Sequence, residues 1–539
     1  MLTLPAERLR RTAQVLQPAG RRLYGFAVPA VLVAGWLTLA LTHLRLPYPS
    51  DQLHYMEAAS HFPEPIPGSG MTHQMTRFGL TGLTRAAMAL FGYSETTYYV
   101  VPLLGGVLLL LGTYAIGAMM FSRVVGAAAA AVLLTYAPIF FDATELLPDL
   151  LATGLFTVAV AIAIAVRRER IPARPWTLLL IGFLLGWSYL VREFIVFVWP
   201  LIPVVLWPRL RTESRPLWRG LVWLALPVAV LGAAEMLVCW IVYDDPLARV
   251  RAITGHGEGP MKPATAATFQ NKPRLTYLGR LWTALGGDRN SYYPAQWGIR
   301  PLLLAMIAGA LARPRRLWIF VIWTASLWVP LTLLGGVLDP SAPKLRLQLV
   351  RYWFPAFPAI VLGGIVAVWL AGRYLGRRLD KTFDKRFDKR WAALVPAVVV
   401  ASVAAATVFL AAGSWVGDPD IRRGSRDMSA FRSWMADNGD GVRTVWSDGR
   451  TVHVLGVFRE GPFGGGQTWT ARLRPLPGPG VPGPAAGDMV VLFDTEGSIC
   501  GHCAQSARAA LGDPVRPPPN WRQVYATPDG VLHAYLVGP

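Results

Sequence analysis

About eleven apolar runs, most of them close to the roughly 20 residues that cross a bilayer as a helix, constrain this chain more than any other feature. Their approximate cores are 24–44, 98–120, 124–141, 147–166, 176–191, 194–208, 219–242, 299–312, 317–337, 352–371 and 392–413. In hydrocarbon every backbone N–H and C=O has to be satisfied within the segment, so runs of this kind are helices. The spacing predicts a polytopic α-helical membrane protein with about eleven transmembrane helices. Composition agrees, since 53% of the 539 residues are hydrophobic and 16% are charged, against about a quarter charged in soluble domains.

The net charge of +20 would suggest a nucleic-acid partner in a soluble protein. Here the basic residues fall in short loops between apolar runs, where they set topology; no nucleic acid is expected, and the partner is the lipid bilayer. Arg123, the group Arg167, Arg168, Arg170 and Arg174, the group Arg209, Arg211, Arg215 and Arg219, and Arg313, Arg315 and Arg316 occupy alternate loops. The stretch from Arg373 to Arg390, with its near-repeat DKTFDKRFDKR, falls in another and reads as a solvated topogenic loop. With Arg8, Arg10, Arg11, Arg21 and Arg22 all lie on one side, which the charge rule makes cytoplasmic. Residues 1–23 are then a cytoplasmic basic N-terminus leading into a retained anchor. Residues 24–413 form the membrane domain, with external loops at 45–97, 243–298 and 338–351. This assignment needs a turn at Arg192-Glu193, because one continuous helix over 176–208 would swap the side of every later loop.

Residues 414–539 are more polar and richer in Gly and Pro, and read as a small extracytoplasmic α/β domain. The pattern predicts a helix at 427–437, strands at 442–447 and 489–494, and a hairpin over 521–537 turned by Pro528-Asp529-Gly530. The segment 475–487 is a Pro/Gly linker. Cys239 lies inside an apolar run, and three cysteines make no disulfide framework. Cys500 and Cys503, between a strand and a helix-like stretch, have the context of a redox pair. Only about 36 residues follow, too few for the rest of a thioredoxin-type fold, so a local disulfide or an inert pair is the expectation.

Ionisable residues at the membrane edge are functional candidates, because burying charge near hydrocarbon is costly. Asp51 follows the first run; Tyr55 shares its helical face at i,i+4. A carboxylate there serves as a general base or simply caps an amphipathic helix. Glu145 and Asp149 flank Pro148 between the third and fourth runs, as an acidic pair or as interfacial caps. Arg77 opens an amphipathic stretch, and Arg192 and Glu193 form either an ion pair between helices or part of a site. Lys344, Arg346 and Arg351 put positive charge on the external face, against the topological rule. Phosphate binding accounts for this; the alternative is snorkelling at a helix end. There is no GxGxxG fingerprint between a strand and a helix, no P-loop and no HExxH sequence, and hence no visible cytoplasmic nucleotide site.

SDQLHYMEA, ELLPDLLATGLF, GWSYLVREFIVFVWP and LVRYWFPAFPAIVL, in order over roughly 50–370, resemble motifs of the GT-C superfamily of membrane glycosyltransferases. The similarity is to the protein O-mannosyltransferase and aminoarabinose transferase branch. It implies a polyprenyl-phosphate-linked sugar as donor and inverting transfer to an acceptor hydroxyl (of a protein, glycan or lipid) on the extracytoplasmic face. By this resemblance Asp51 is the base. Lys344, Arg346 and Arg351, with Arg77 and Arg192, hold the donor phosphate, and Tyr55, Glu145, Asp149 and Glu193 contact acceptor or sugar. No cofactor is assured, and a divalent cation is the one candidate. The branch often carries Asp-Glu where this chain has Asp51-Gln52, leaving Asp51 the sole carboxylate at that step. Two other classes fit parts of the pattern: a transporter or lipid flippase, although no internal repeat is visible, and a membrane-tethered thiol oxidoreductase using Cys500 and Cys503.

Overall fold

A computed structural model describes residues 27–45, 47, 51–68, 71–213, 217–255, 269–286, 298–345, 349–382, 389–416, 423–449, 451–452, 455–456, 469–477, 482–493, 508, 511–512, 516–528, 530 and 532–539. Arg346, Cys500, Cys503 and Asp529 lie outside the described residues. The chain runs through α1 (Ala27–Leu41), α2 (Asp51–His61), α3 (Phe78–Phe91), α4 (Glu95–Met120), α5 (Arg123–Thr135), α6 (Ala137–Asp142), α7 (Pro148–Arg167) and α8 (Pro175–Val191). A 3-10 turn (Glu193–Val198) then leads to α9 (Leu201–Glu213), α10 (Leu217–Tyr243), α11 (Ala248–Thr254), α12 (Arg274–Leu278) and α13 (Arg280–Ala284). After α14 (Arg300–Ala312) and α15 (Pro314–Thr332), a second 3-10 turn (Val350–Ala356) precedes α16 (Phe357–Thr382), α17 (Lys389–Val416) and α18 (Arg423–Asn438).

Every apolar run falls on helix. Among the described residues six helices, α4, α7, α10, α15, α16 and α17, are long and apolar enough to cross a membrane. The others are shorter. The run at 124–141 is two helices, because Tyr136 is extended (φ −71°, ψ 118°) and Pro138 sits in the first turn of α6. The stretch 176–208 is not one helix: α8 ends at Val191, and Arg192 is extended at φ −149°, ψ 121°.

The chain does reverse there. Arg167 Nη1 donates to the Val205 carbonyl at 3.0 Å, and Arg209 pairs with Glu169, so α9 ends beside the loop from which α8 set out. Arg168 Nη2 reaches the Met120 carbonyl at 3.4 Å, and the Arg167 guanidinium lies 5.2 Å from the Trp318 ring. The basic loops thus gather at one end of the bundle. The N-terminus of α7, twenty residues and so about 30 Å away, marks the other end, where Asp51, Asp149, Arg192 and Arg351 meet.

The C-terminal part holds a five-stranded sheet in the order β2-β1-β3-β5-β4, formed by β1 (Thr444–Ser447), β2 (Arg472–Pro475), β3 (Met489–Phe493), β4 (Trp521–Ala526) and β5 (Leu532–Val537). β1 is parallel to β2 and to β3, and β5 is antiparallel to β3 and to β4. The expected helix, two strands and hairpin are all present. The edge strand β2 was not anticipated: its Arg-Leu-Arg-Pro sequence is largely exposed and ends on proline, which edge strands tolerate. Arg432 of α18 pairs with Glu95 of α4 at 2.8 Å. Met428, Phe431 and Met435 share one apolar cluster with Tyr55, Tyr98, Leu146 and Leu151, so the sheet is anchored at the Asp51 end.

Helices α4 and α7 cross through glycines. A Cβ on Gly154 would stand 2.6 Å from the Gly105 carbonyl oxygen, and one on Gly105 would stand 2.9 Å from Leu151 Cα. Close approach through small residues is how such helices associate in lipid. Gly154→Leu is expected to cost about 1–3 kcal/mol through overpacking, lowering the unfolding midpoint of detergent-purified protein. Gly232→Leu, at a position with nothing within 4 Å, should leave it unchanged. Equal midpoints for the two variants would contradict this crossing.

Candidate active site

Asp51 is the first residue of α2, where the helix dipole favours a carboxylate. Its Oδ2 accepts from Arg351 Nη2 at 3.1 Å and its Oδ1 from Gln74 Nε2 at 3.3 Å. Arg351 Nε lies 3.8 Å from Asp149 Oδ2, and Asp149 Oδ1 lies 3.0 Å from Arg192 Nε. Arg192 Nη1 is 3.6 Å from Glu193 Oε1, which also receives Arg77 Nη2 at 3.1 Å. Glu193 Oε2 lies 4.0 Å from Arg249 Nη2, and Arg249 pairs with Glu235. Four carboxylates and three guanidinia therefore alternate along one line, with Arg77 as a branch at Glu193, and each sign compensates the next.

The line runs from water into the protein. Side-chain exposure is 33% at Asp51 and 24% at Arg351. It falls to 3% at Asp149 and 8% at Arg192, and to 5% at Arg77. Along the line the Asp51–Arg351 end is the most exposed. Burial alone would raise the Asp51 carboxyl, but Arg351, by charge and by hydrogen bond, with His73 and Arg77 adding to it, holds it below the usual carboxylate range. Asp51 is thus ionised at neutral pH, as a proton acceptor must be.

The other expected residues divide by location. Tyr55 is fully buried beneath Asp51, and its hydroxyl is a partner of Arg77. Glu145 accepts from Arg45 Nη1 at 2.5 Å and from Gln52 Nε2 at 2.8 Å. The amide that replaces the expected second acid therefore ties α2 to a carboxylate from another segment. Lys344 is exposed, on the turn that carries Asp339, and has no place among the described ion pairs of the site.

Arg249, Glu235, Gln74 and Arg45 were not foreseen. Glu235 carried a signal, as the one acidic residue in the apolar run 219–242. A divalent cation does not fit this donor set. The oxygens of Asp51 and Asp149 face guanidinia, and among the described residues no group of three or more His, Cys, Asp or Glu could hold a metal.

Apolar helices, short basic loops at one end and an ion-paired carboxylate site beneath a small sheet at the other make this a membrane protein of the GT-C fold. The chain is similar to ArnT (an aminoarabinose transferase) from Cupriavidus metallidurans in the apo state, with 14% identity, a TM-score of 0.53, and coverage of 96% of this chain and 100% of that one. The same protein bound to undecaprenyl phosphate also matches, at 14% identity and a TM-score of 0.43, over 95% and 99% of the two chains. The archaeal oligosaccharyltransferase AglB from Archaeoglobus fulgidus, in complex with an inhibitory peptide and a dolichol-phosphate, matches at 14% identity and a TM-score of 0.44, over 96% and 74%. No family model and no curated protein matches the sequence.

The buried pair at the inner end of the line can be tested. Removing one partner of a buried ion pair costs about 3–5 kcal/mol, because the other is left uncompensated. Glu235→Leu and Arg249→Met should each destabilise by that order. The double variant should fall short of the sum by about 0.5–3 kcal/mol. Additive unfolding free energies would show that the pair is not coupled.

Proposed function

We propose that the chain is an integral-membrane glycosyltransferase that moves a sugar from a polyprenyl-phosphate donor to an acceptor hydroxyl, with inversion at the sugar carbon. The observation that carries this reading is the half-exposed Asp51–Arg351 pair, a proton acceptor beside an anion-binding fork at the open end of a GT-C fold. The donor's tail has an apolar place to lie. An open groove of about 660 Å³ is lined by Val196, Phe197 and Pro200 on one side and Ile322, Val329 and Pro330 of α15 on the other. Rings lead from it to the charges: Phe197 stacks on Phe194 at 6.4 Å, and Phe194 meets Tyr352 at 5.4 Å. The Arg192 guanidinium lies 4.8 Å from the Phe194 ring.

In the reaction the acceptor oxygen bonds to the sugar carbon on the face opposite the phosphate. The carbon–oxygen bond to phosphate breaks, its electron pair stays on the lipid phosphate, and the hydroxyl proton passes to Asp51. Arg351 faces the developing phosphate charge, where a fixed donor acts most strongly, and Lys344 and Arg346, shortly before it in the sequence, are assigned to the donor phosphate as well. Arg192 and Arg77, committed to Asp149 and Glu193, act from behind by charge. Glu145 and Asp149 orient the acceptor or the sugar, Glu193 holds the arginines in line, and Tyr55 supports the floor. The active face is extracytoplasmic, as is the domain at 414–539, while residues 1–23 and the basic loops are cytoplasmic.

Asp51→Asn is expected to lower release of lipid phosphate from a radiolabelled polyprenyl-phosphate sugar by at least about a hundredfold, the low end for losing a general base. Expression and membrane insertion should stay intact. Near-wild-type turnover in that variant would overturn the assignment. Replacing both Cys500 and Cys503 with Ser should leave turnover unchanged, whereas a thiol oxidoreductase would lose its activity.

A further inference from the structure

We propose that Arg351 masks Asp51 Oδ2, the oxygen that is to take the acceptor proton, until an anionic lipid phosphate draws the guanidinium away. The base then becomes available only after the donor has bound. This rests on the transferase reading and adds an order of events to it.

Both Asp51 oxygens hold a donor, Arg351 Nη2 on Oδ2 at 3.1 Å and Gln74 Nε2 on Oδ1 at 3.3 Å. A general base has to offer a lone pair within about 2.6–3.2 Å of the hydroxyl it deprotonates. The two partners differ in their freedom to leave. Gln74 is buried at 8% exposure, so it is a positioning residue that keeps the carboxylate aimed. Arg351 is the most exposed guanidinium of the line. Its Nε, 3.8 Å from Asp149 Oδ2, has no hydrogen-bond partner. Turning toward a phosphate therefore breaks one hydrogen bond, to Asp51, and loosens the ion pair with Asp149.

Charge makes the exchange reversible over one turnover. A phosphodiester donor carries one negative charge, which competes with the one on Asp51 for a single fork. The other charged groups acting on Asp51, His73 and Arg77, are each held in the buried part of the site. On transfer the proton neutralises Asp51 while the phosphate becomes a monoester of charge near −2 at neutral pH, since its second pKa is about 6. Arg351 then belongs wholly to the product. Loss of the proton from Asp51 restores the competitor, and the guanidinium returns as the lipid phosphate leaves.

The test is binding of undecaprenyl phosphate to the full chain in nanodiscs, with no sugar and no turnover. If Asp51 competes for Arg351, Asp51→Asn should tighten binding about tenfold, the size of one charged hydrogen bond in a half-exposed site. Arg351→Gln should weaken binding, and Asp51→Asn added to Arg351→Gln should give no gain. Should Arg351→Gln fail to fold, Arg351→Lys, which keeps the charge but loses the fork, should show a gain smaller than the wild-type background does. Asp51→Ala stands in for Asp51→Asn on the same criterion. Unchanged or weaker binding in the Asp51 variants, with weakening in the Arg351 variant, would overturn the masking and leave the transferase reading standing. No binding of the lipid phosphate by the wild-type chain would overturn that reading itself.

Discussion

A guanidinium removed from water must be met by a carboxylate, and the alternating line from Asp51 to Glu235 obeys that requirement. An uncompensated charge at this depth would cost several kcal/mol. No member of the line can be placed without its neighbours. Asp51 comes from α2, Arg77 from just before α3, Asp149 from α7, and Arg192 and Glu193 from the break after α8. Glu235 comes from α10, Arg249 from α11 and Arg351 from the turn before α16. Seven stretches of chain are therefore held in register at one end of the bundle by charge, while apolar packing and glycine crossings hold the rest.

This distribution of work sets the exposed end of the line apart from the rest. Inside, each guanidinium has a carboxylate within 4.0 Å, and Arg192 is further covered by the Phe194 and Tyr352 rings, 4.8 and 5.1 Å away. At the surface the same alternation ends on a carboxylate whose guanidinium partner is the most exposed of the set. The buried ions fix the position and potential of the exposed pair, which is the preorganisation that electrostatic catalysis depends on.

Much of the membrane architecture was legible because apolar length is a one-dimensional signal. All the runs are helical, and Arg192-Glu193 does break the 176–208 stretch. Where boundaries failed, at 124–141, the cause was a local turn before Pro138 that hydrophobicity does not register. Asp51, Asp149, Arg192, Arg77, Glu193 and Arg351 were each visible as misplaced charges, but who pairs with whom was not, since Asp51 and Arg351 are 300 residues apart. Arg249 stood in a polar loop where nothing distinguished it from a solvated residue. Strand β2 was missed because an exposed edge strand lacks the alternating apolar pattern that betrays a half-buried one.

The packing of α18 has a consequence for how the molecule is made. Met428, Phe431 and Met435 complete an apolar cluster whose other half is Tyr55, Tyr98, Leu146 and Leu151, contributed by segments synthesised some 270 to 380 residues earlier. Until residues 423–438 emerge, α2 lies on an unfinished surface and Glu95 lacks Arg432. The cluster that includes Tyr55 thus waits for a helix made after the last candidate span, so a chain stalled partway through synthesis leaves it open.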